Sequence, residues 1–497
     1  MTSYPRKAAF ELKPRTQRTG SPESSSETRS PGLILTACCL GQFVVVLDVS
    51  VINIALPIIK KTLGMSGTSL QWVVNAYTIV FAAFLLLGGR LVDIIGKRHT
   101  YLIGTLIFTT ASLTAGLAFN PTMLILSRAL QGLGAAIIAP ASLSILGATF
   151  TDTASRARAF GTWGAVAAGA GASGVLIGGV VTQLVSWRWL FLINVPLGAG
   201  LAGLTVLAVS SSFRSSSPHQ RIDIVSTLTA ACGLVAFLYG ISRLSSGFDW
   251  TVPVLAATAA TLLLVFVRRQ RYMTYPLLPL RLFARRSVTT ANVVAFTSCA
   301  AMFSLFYFFP LLLQQVLRYT PIQAALACLP LSLGILVGAR LLTPVCVTKL
   351  GHRATLLIAL IASAVGYCWL SVASHETGVL QALVAPTILI GITQGIVGAS
   401  SAIVATTDVP AGEIGIASGV LNASQQLGGA VGLASLVVIV SQYADMHTVH
   451  SAGAALADGY AAAIVVASLF PLLGAVASYF APGRRSTKTE VPSEMSQ

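Results

Sequence analysis

Residues 88–98, Gly-Gly-Arg-Leu-Val-Asp-Ile-Ile-Gly-Lys-Arg, form a short charged turn between two long apolar stretches. An apolar stretch of about 20 residues is long enough to cross the hydrocarbon core of a bilayer as a helix. Basic residues in a short loop between two such helices favour the cytoplasmic side of the membrane. The turn therefore predicts a protein that crosses a membrane and places these residues in the cytoplasm.

The composition of the whole chain supports a membrane protein. Of its 497 residues, 55% are hydrophobic and only 9% are charged, and the mean hydropathy is +0.81. A soluble domain carries about 25% charged residues, so most of this surface faces lipid. In lipid the backbone must satisfy its own hydrogen bonds, which favours helices, and the alternating pattern of a membrane barrel is absent. We expect an all-α integral membrane protein.

Hydropathy predicts fourteen transmembrane helices with both termini on one side. The predicted spans are 33–57, 69–90, 100–119, 122–147, 159–183, 189–209, 223–243, 251–267, 288–317, 321–345, 354–373, 379–405, 415–441 and 459–480. Of the 31 Lys and Arg residues, 24 fall in the N-terminal tail and the loops on its side, five in the opposite loops and two within spans. This asymmetry predicts cytoplasmic termini. It also explains the net charge of +16 by attraction to anionic lipid, without nucleic acid.

An internal repeat divides the chain. Residues 88–91 resemble 338–341, residues 96–100 resemble 351–355, and Gln131-Gly132 resembles Gln394-Gly395. Spans 1–6 therefore correspond to spans 9–14, a pattern typical of transporters. We predict a disordered cytoplasmic tail (1–31), a six-helix bundle (32–209), a two-helix linker with a basic cytoplasmic loop (210–287), a second six-helix bundle (288–481) and a cytoplasmic tail (482–497).

Two charged residues inside the apolar spans are candidates for proton coupling. Asp48 is the one acidic residue well inside a long apolar run, and Arg128 lies within span 4. A carboxylate near the bilayer centre costs roughly 2.5–3.5 kcal/mol on insertion scales, so it usually faces a cavity and has a function. The alternative for Asp48 is a structural hydrogen bond to a neighbouring helix. Arg128 either tunes a nearby acid or reaches the membrane interface with its long side chain.

Uncharged residues supply further candidates. Glycines in span 5, including Gly174, Gly178 and Gly179, would let helices approach closely. Polar or aromatic side chains that could line a substrate cavity are Asn53, Gln131, Tyr307, Asn422 and Gln425. The amides could equally form hydrogen bonds between helices, and the aromatic cluster around Tyr307 could face lipid.

The motifs of several other function classes are missing from the sequence. No phosphate-binding GxxxxGK[ST] motif is present, so we do not expect ATP to supply the energy. The seven cysteines lie in or beside apolar runs without metal-ligand spacing, and we interpret them as small apolar residues. We expect no enzyme activity, no metal and no cofactor.

These motifs together resemble the major facilitator superfamily, and specifically its branch of fourteen-span drug:proton antiporters. The loop motif is carried by Gly89, Asp93, Gly96, Lys97 and Arg98. The span-1 motif runs from Leu47-Asp48 to Pro57, the span-4 motif comprises Arg128, Gln131, Gly132 and Gly134, and the antiporter motif covers 174–179 and 186–198. Val175 stands where that motif usually has proline.

The resemblance implies two six-helix bundles that rock about a site at the membrane midplane, with the two extra helices at the periphery. It implies export of hydrophobic, often cationic, compounds against an inward flow of protons. We expect a monomer in a plasma membrane, and the Ala- and Gly-rich composition indicates a bacterial source. Asp48 would take a proton from outside, while Asp93, Lys97 and Arg98 would hold the cytoplasmic side closed. The alternatives are a carrier of the same fold for one metabolite (an amino acid, a siderophore or a self-made antibiotic) and a non-transporting membrane sensor or scaffold.

Overall fold

The computed structural model describes residues 30–209, 223–244, 247–273, 276, 278–373, 379–410, 414–446 and 452–481, and regular structure in these ranges is helical throughout. Residues 1–29 of the predicted N-terminal tail, the C-terminal tail (482–497) and the loop before span 7 (210–222) lie outside the described residues. The helices are α1 (Pro31–Leu63), α2 (Gly67–Ile95), α3 (Lys97–Gly116), α4 (Pro121–Thr149), α5 (Thr153–Leu184), α6 (Trp189–Leu192), α7 (Asn194–Ala208), α8 (Ile224–Arg243), α9 (Thr251–Tyr272), α10 (Arg286–Leu311), α11 (Pro321–Val337), α12 (Thr343–Ala373), α13 (Val379–Thr407), α14 (Ile414–Met446), α15 (Ala452–Ala467) and α16 (Leu469–Ser478).

The expectation of an all-helical, multi-pass membrane protein is confirmed, but the count of fourteen spans is not settled by helix length. Eleven segments of the described chain are long and apolar enough to cross a bilayer. One of them, Pro321–Val372, has 52 residues, over twice the length that a crossing needs. Another helix, α2, contributes a shorter apolar stretch, Ser69–Leu85. Fourteen spans therefore remain a prediction.

The first seven helices and the last seven pack in the same pattern, as the internal repeat predicts. In the N-terminal bundle (α1–α7), α1 packs on α5 and α4 packs on α2 and α3. In the C-terminal bundle (α10–α16), α10 packs on α14 and α13 packs on α11 and α12. The bundles meet where α2 contacts α14 and where α5 contacts α11. In the repeat α2 corresponds to α11 and α5 corresponds to α14, so the two contacts are equivalent. A two-fold pseudo-symmetry therefore relates the halves.

The two loop-motif copies share an unusual backbone geometry. Gly96 lies between α2 and α3 with φ 87° and ψ 155°. Gly351, its counterpart in the repeat, breaks α12 with φ 79° and ψ 166°. Glycine reaches such a conformation without the strain that a Cβ atom introduces. The sharp change of helix direction at both positions explains why both copies of the motif have glycine there.

The apolar core is shared between the bundles at one end of the molecule and divided at the other. The largest cluster combines residues from Leu47–Ile59 of α1 with residues from 301–311 of α10, the two residues that follow α10, and residues from 324–331 of α11. At the end that carries α1's first residues and the last residues of α16, one cluster draws its buried members from the N-terminal bundle alone and another from the C-terminal bundle alone. The two bundles therefore share one apolar core at the far end and have divided apolar cores at the end that carries the described termini, where Arg340 Nη2 still donates to the Gly161 carbonyl oxygen of α5 at 3.2 Å.

The remaining two helices, α8 and α9, form a hairpin beside the seam between the bundles. They pack on each other, and α8 also contacts α2 and α14. A small apolar cluster joins Ile79 of α2, Leu238 of α8, and Ala430 and Ala434 of α14. The hairpin thus touches both bundles along the same side of the molecule.

Candidate functional site

A buried ion pair between α1 and α4 is the centre of the candidate site. The side chain of Asp48 has no exposed surface, and that of Arg128 is 1% exposed. The Arg128 guanidinium donates through Nη1 to Asp48 Oδ2. The structure thus brings together the two charged residues that the sequence singles out as candidates for proton coupling, and it leaves no room for Arg128 to reach the membrane interface.

Arg128 is held by further contacts from α2. Its Nε donates to the carbonyl oxygen of Val73 at 3.0 Å, and its guanidinium carbon lies 4.5 Å from the centre of the Tyr77 ring. A guanidinium in an apolar environment needs such partners because it stays charged at every physiological pH. Arg128 is therefore fixed in place by groups other than Asp48, and the position of its charge does not depend on the carboxylate alone.

Three neutral side chains complete what we call the Asp48 cluster: Asp48, Ser112, Arg128, Gln131 and Asn194. Gln131 Nε2 donates to Asp48 Oδ1 at 2.9 Å and to Ser112 Oγ at 2.7 Å, while Gln131 Oε1 accepts from Arg128 at 2.9 Å. Asn194 Nδ2 donates to the same Asp48 Oδ1 at 2.9 Å. All five side chains are fully buried, so α1, α3, α4 and α7 meet at one polar point inside the N-terminal bundle.

Ser112 and Asn194 are site residues that the sequence did not predict, and Gln131 was predicted only as a residue that could line the substrate cavity. In the structure both ends of the Gln131 amide are used within the Asp48 cluster. Asn194 stands within the apolar run Leu190–Leu197, and a search for amides as well as charges inside spans would have found it. Ser112 gives no comparable signal, because serine is common in membrane helices and usually bonds its own backbone, as Ser112 also does to Phe108 at 2.8 Å.

The packing of α1 against α4 depends on the charge of Asp48, because this charge neutralises the buried Arg128. Removing one partner of a buried ion pair costs about 3–5 kcal/mol, because it leaves an uncompensated charge in an apolar environment. Protonation of Asp48 has the same effect on Arg128 as removing the partner. A proton that reaches this site therefore favours a rearrangement of α1 against α4, which is the physical requirement for coupling a proton to a conformational change.

The glycines of span 5 let α5 approach two different helices. A Cβ atom on Gly174 would lie 2.6 Å from Ser50 Cβ, and one on Gly178 would lie 2.8 Å from the Val51 carbonyl oxygen, both on α1. A Cβ atom on Gly179 would lie 2.8 Å from the Pro321 carbonyl oxygen of α11. Gly174 and Gly178 thus face Ser50 and Val51 of α1, which follow Asp48 by two and three residues. Gly179 faces the C-terminal bundle.

The loop-motif residues lie where α2 ends and α3 begins. Lys97 and Arg98 start α3, and Arg98 Nη2 donates to the Val206 carbonyl oxygen of α7 at 3.1 Å. A Cβ atom on Gly89 would meet no atom within 4 Å. Asp93 lies in α2, but its side chain is outside the described part of the structure.

The remaining candidates for substrate contact lie in different environments. Asn53 is buried on α1, and Asn422 and Gln425 are half-buried on α14. Tyr307 is buried in the core that the two bundles share, with its ring 5.2 Å from that of Phe308. The alternative that this aromatic residue faces lipid is therefore wrong, because the C-terminal half of α10 is enclosed by both bundles.

Comparison with known proteins identifies relatives along most of the chain. Over 390 residues the chain is 35% identical to a cephamycin export protein of Amycolatopsis lactamdurans, covering 78% of this chain and 80% of the relative. It is 38% identical over 361 residues to a puromycin resistance protein of Streptomyces alboniger, covering 72% and 71%. A multidrug resistance protein of Mycobacterium tuberculosis is 31% identical over 393 residues, covering 77% and 71%.

Solved transporter structures share the fold at low sequence identity. A bacterial homologue of the human lysosomal transporter Spinster, described as inward-facing and unoccupied, aligns with a TM-score of 0.62 and 16% identity over 90% of this chain and 96% of that one. A peptide transporter aligns with a TM-score of 0.63 and 19% identity over 89% and 96%. Residues 38–433 match the model of the Major Facilitator Superfamily. Because that match covers well over half of the chain, and the two bundles repeat one packing pattern, the protein belongs to the major facilitator superfamily.

Proposed function

We propose that the protein is a proton-coupled efflux transporter of the fourteen-span drug:proton antiporter branch, which exports hydrophobic drugs or antibiotics and confers resistance. The observation that carries this proposal is the buried Asp48–Arg128 pair. A carrier that only binds and releases a neutral solute has no use for a titratable group held this far from water. The names of the relatives, which include an export protein and two resistance proteins, support the direction and the substrate class.

The other expectations belong to the same proposal. The substrate is a small hydrophobic or cationic organic compound, the proton gradient is the energy source, and no cofactor or nucleic acid takes part. The protein works as a monomer surrounded by membrane lipid, in a bacterial plasma membrane with both termini in the cytoplasm. The excess of basic residues on the side of the termini supports this orientation.

With the termini in the cytoplasm, the division of the apolar core favours an inward-facing state. The core shared by both bundles then lies on the outer side and the divided cores lie on the inner side. Polar contacts support closure on the outer side: Gln314 Nε2 donates to the Ile54 carbonyl oxygen at 2.9 Å. The backbone amide of Ile322 donates to Gln183 Oε1 at 3.1 Å. In this state the substrate would enter from the cytoplasm.

The position of α1 links the proton site to this outer closure. Asp48, the Val51 contact with Gly178 of α5, and the Ile54 contact with Gln314 lie within two turns of one helix. A proton arriving from outside would neutralise Asp48 as drug leaves, and the unpaired charge of Arg128 would favour a new position of α1. Once that movement has returned the carrier to the inward-facing state, release of the proton to the cytoplasm would restore the Asp48–Arg128 pair.

The loop motif would act as the latch that closes the cytoplasmic side in the opposite state. Asp93, Lys97 and Arg98 lie on the side where the apolar cores of the two bundles are divided. Replacing Asp93 with Ala should slow the transport cycle more than it weakens substrate binding. Unchanged transport by Asp93→Ala would exclude that role.

Drug movement in everted membrane vesicles tests the proposed function directly. Under an imposed inside-acid gradient, wild-type vesicles should accumulate the substrate, and Asp48→Asn should abolish accumulation because the carboxyl group can no longer exchange a proton. Asp249→Asn is a matched control, since Asp249 is a half-exposed acid that pairs with Arg243 in the turn between α8 and α9. Accumulation by Asp48→Asn would move the proton site elsewhere, and no accumulation of any lipophilic cation or antibiotic by the wild type would contradict export.

A second candidate is a carrier of the same fold for one antibiotic. Two of the relatives are named for a single compound, cephamycin or puromycin, and the third for many drugs. A panel of structurally unrelated antibiotics separates the two candidates, because a dedicated exporter lowers the susceptibility of its host to one chemical class only.

A further inference from the structure

Asp48 is surrounded by hydrogen-bond donors, which suits its ionised form only. Its carboxylate accepts from Arg128, from Gln131 at 2.9 Å and from Asn194 at 2.9 Å. A protonated carboxyl group carries an O–H that must find an acceptor, because a buried donor without a partner is costly. The proposed cycle needs both forms of Asp48, so one neighbour must be able to change from donor to acceptor.

Arg128 and Gln131 cannot make this change at low cost. A guanidinium has donors only. The Gln131 oxygen already accepts from Arg128 at 2.9 Å, and its amino group also donates to Ser112 at 2.7 Å. Turning the Gln131 amide over would therefore lose two hydrogen bonds that do not involve Asp48.

Asn194 differs from both, because one half of its amide is unused. Its Oδ1 is buried and accepts no hydrogen bond from any described residue. A half-turn about the terminal side-chain bond exchanges Oδ1 and Nδ2, presents an acceptor to Asp48 and breaks no other hydrogen bond. The assignment of Nδ2 to the present contact follows from chemistry, since a carboxylate can only accept.

The backbone around Asn194 is held in place by contacts with α3. Asn194 opens α7 directly after the short helix α6 and one intervening residue, Ile193. Just before α6, Arg188 Nη2 donates to the Ala118 carbonyl oxygen at 3.0 Å. On α3, a Cβ atom at Gly116 would lie 2.7 Å from the Leu192 side chain, so α3 packs directly on α6. These contacts hold the amide within reach of Asp48 in both orientations.

We propose that Asn194 is the positioning residue that follows the protonation state of Asp48, donating to the carboxylate and accepting from the carboxylic acid after its amide turns over. The inference rests on the proposed function. In the proton step, a hydronium ion transfers a proton to Asp48 Oδ1: a lone pair of the carboxylate forms the new O–H bond, one O–H bond of hydronium breaks, and water is left. The new O–H then donates to Asn194 Oδ1. The charged and titratable side chains around Asp48 are Arg128 on α4 and Tyr77 on α2, and α3 and α7 contribute the neutral Ser112 and Asn194.

Two substitutions test this role: one removes both the hydrogen-bond donor and the acceptor of Asn194, and the other keeps a group that can donate or accept. Leucine has a similar size but neither donates nor accepts a hydrogen bond. Serine has a rotatable hydroxyl group that can act as donor or as acceptor. In proteoliposomes, Asn194→Leu should lower gradient-driven efflux at least tenfold and leave substrate counterflow, which needs no change of protonation, within twofold of wild type. Asn194→Ser should retain a substantial part of the gradient-driven rate. The matched control is Asn75→Leu, since Asn75 is a buried amide of α2 that also has an unpartnered oxygen.

The outcomes separate this inference from the proposed function. If wild-type protein moves drug under a gradient and Asn194→Leu does the same, the inference is wrong and the transporter stands. Equal loss of efflux and counterflow in Asn194→Leu and Asn194→Ser would indicate a purely structural residue and also overturn it. If wild-type protein shows no gradient-driven movement, the proposed function itself fails. A pH-difference infrared spectrum adds an independent readout: a side-chain amide change should accompany the Asp48 carboxyl band and disappear in Asn194→Ser.

Discussion

Gly178 lies where the backbone of α1 leaves no room for a side chain on α5. A Cβ atom there would lie 2.8 Å from the Val51 carbonyl oxygen, and a backbone atom cannot move aside as a flexible side chain can. Gly178→Ala should therefore force the two helices apart and destabilise the protein by about 1–3 kcal/mol. Thermal unfolding of the purified protein in detergent measures this loss.

Gly169 provides the control on the same helix, because a Cβ atom there would meet nothing within 4 Å. Alanine is a better helix former than glycine by roughly 1 kcal/mol, so Gly169→Ala should leave the unfolding temperature unchanged or raise it. An equal fall for both variants would show that glycine content, and not the α1–α5 contact, determines stability.

At the residue scale, the sequence predicts which charges matter but not which side chains meet. Asp48 and Arg128 stand out because charges are rare inside apolar runs. Their pairing depends on the rotation of α1 and α4 about their axes, which hydropathy does not contain. Asn194 was missed for a related reason: an uncharged amide costs less to bury than a charge, so it gives a weaker signal, and its role depends entirely on the atom it faces.

At the scale of elements, the α8–α9 hairpin is fastened to the N-terminal bundle at both ends. Gln71 of α2 donates to Ser242 Oγ of α8 at 2.5 Å in a buried contact. At the opposite end of α2, Arg90 Nη2 donates to the Pro276 carbonyl oxygen just after α9. The contact of α8 with α14 is formed by apolar side chains such as Ala430 and Ala434. Small apolar side chains can slide past each other, so the hairpin should move with the N-terminal bundle.

Cysteine cross-links distinguish the two faces of the hairpin. In a background without the native cysteines, linking positions 71 and 242 should leave drug efflux near the wild-type rate, because α2 and α8 move together. Linking positions 238 and 434 should stop efflux until the link is cleaved, because it ties α8 to α14. The opposite pattern would assign the hairpin to the C-terminal bundle.

The open end of the hairpin, where α8 begins and α9 ends, contains an ion pair between Asp223 and Arg269. Asp223, the residue before α8, is 5% exposed and accepts from Arg269 of α9 at 3.0 Å. Burial raises the pKa of Asp223, but hydrogen bonds from Ser226 and Arg269 outweigh it, and the pKa lies below its ordinary value. A lowered pKa contributes stability that is present above the ordinary value of about 3.9 and is lost as pH falls through the lowered one.

Thermal unfolding as a function of pH checks this contribution. Wild-type protein should lose more stability than Asp223→Asn on acidification below about pH 4, and the two should respond alike above that pH. The difference should be modest, since Arg269 is 41% exposed and solvent screens its charge. A parallel response at every pH would show that the pair does not stabilise the hairpin.

The sequence predicts where apolar helices lie but not whether each of them is continuous. Hydropathy gives one span for 189–209, yet the chain forms α6 and α7 with a break at Ile193. It gives one span for 288–317, yet α10 passes into a π-helical turn at Leu312–Val316. Such interruptions depend on local hydrogen bonding, whereas hydropathy averages over a window longer than one turn. The break before Asn194 is the one that shapes the Asp48 cluster.

At the scale of the whole molecule, the repeat is the feature that sequence predicts well, and the asymmetry between its copies is the feature with functional meaning. Gln394 occupies the place of Gln131 in the second copy, and its Oε1 accepts from Ser298 Oγ of α10 at 2.6 Å. Three residues earlier, Gly391 stands where the first copy has Arg128. Thus both bundles join their corresponding helices through a glutamine, but only the N-terminal one has an ion pair there. In the proposed cycle, two related bundles with one charged centre would let the carrier rock symmetrically and respond to protons through one half.

The outer contact between α5 and α11 offers a way to hold the molecule in the state seen here. The Ile322 amide donates to Gln183 Oε1 at 3.1 Å, and Gly179 packs beside Pro321. A disulfide between Gln183→Cys and Ile322→Cys, in a background without the native cysteines, should keep the outer side closed. Efflux should then stop, while binding of substrate from the cytoplasmic side persists, and a reducing agent should restore the transport rate. A protein that transports at the wild-type rate with this disulfide formed would show that the outer ends of α5 and α11 do not separate during the cycle, and alternating access by rocking of the two bundles would have to be abandoned.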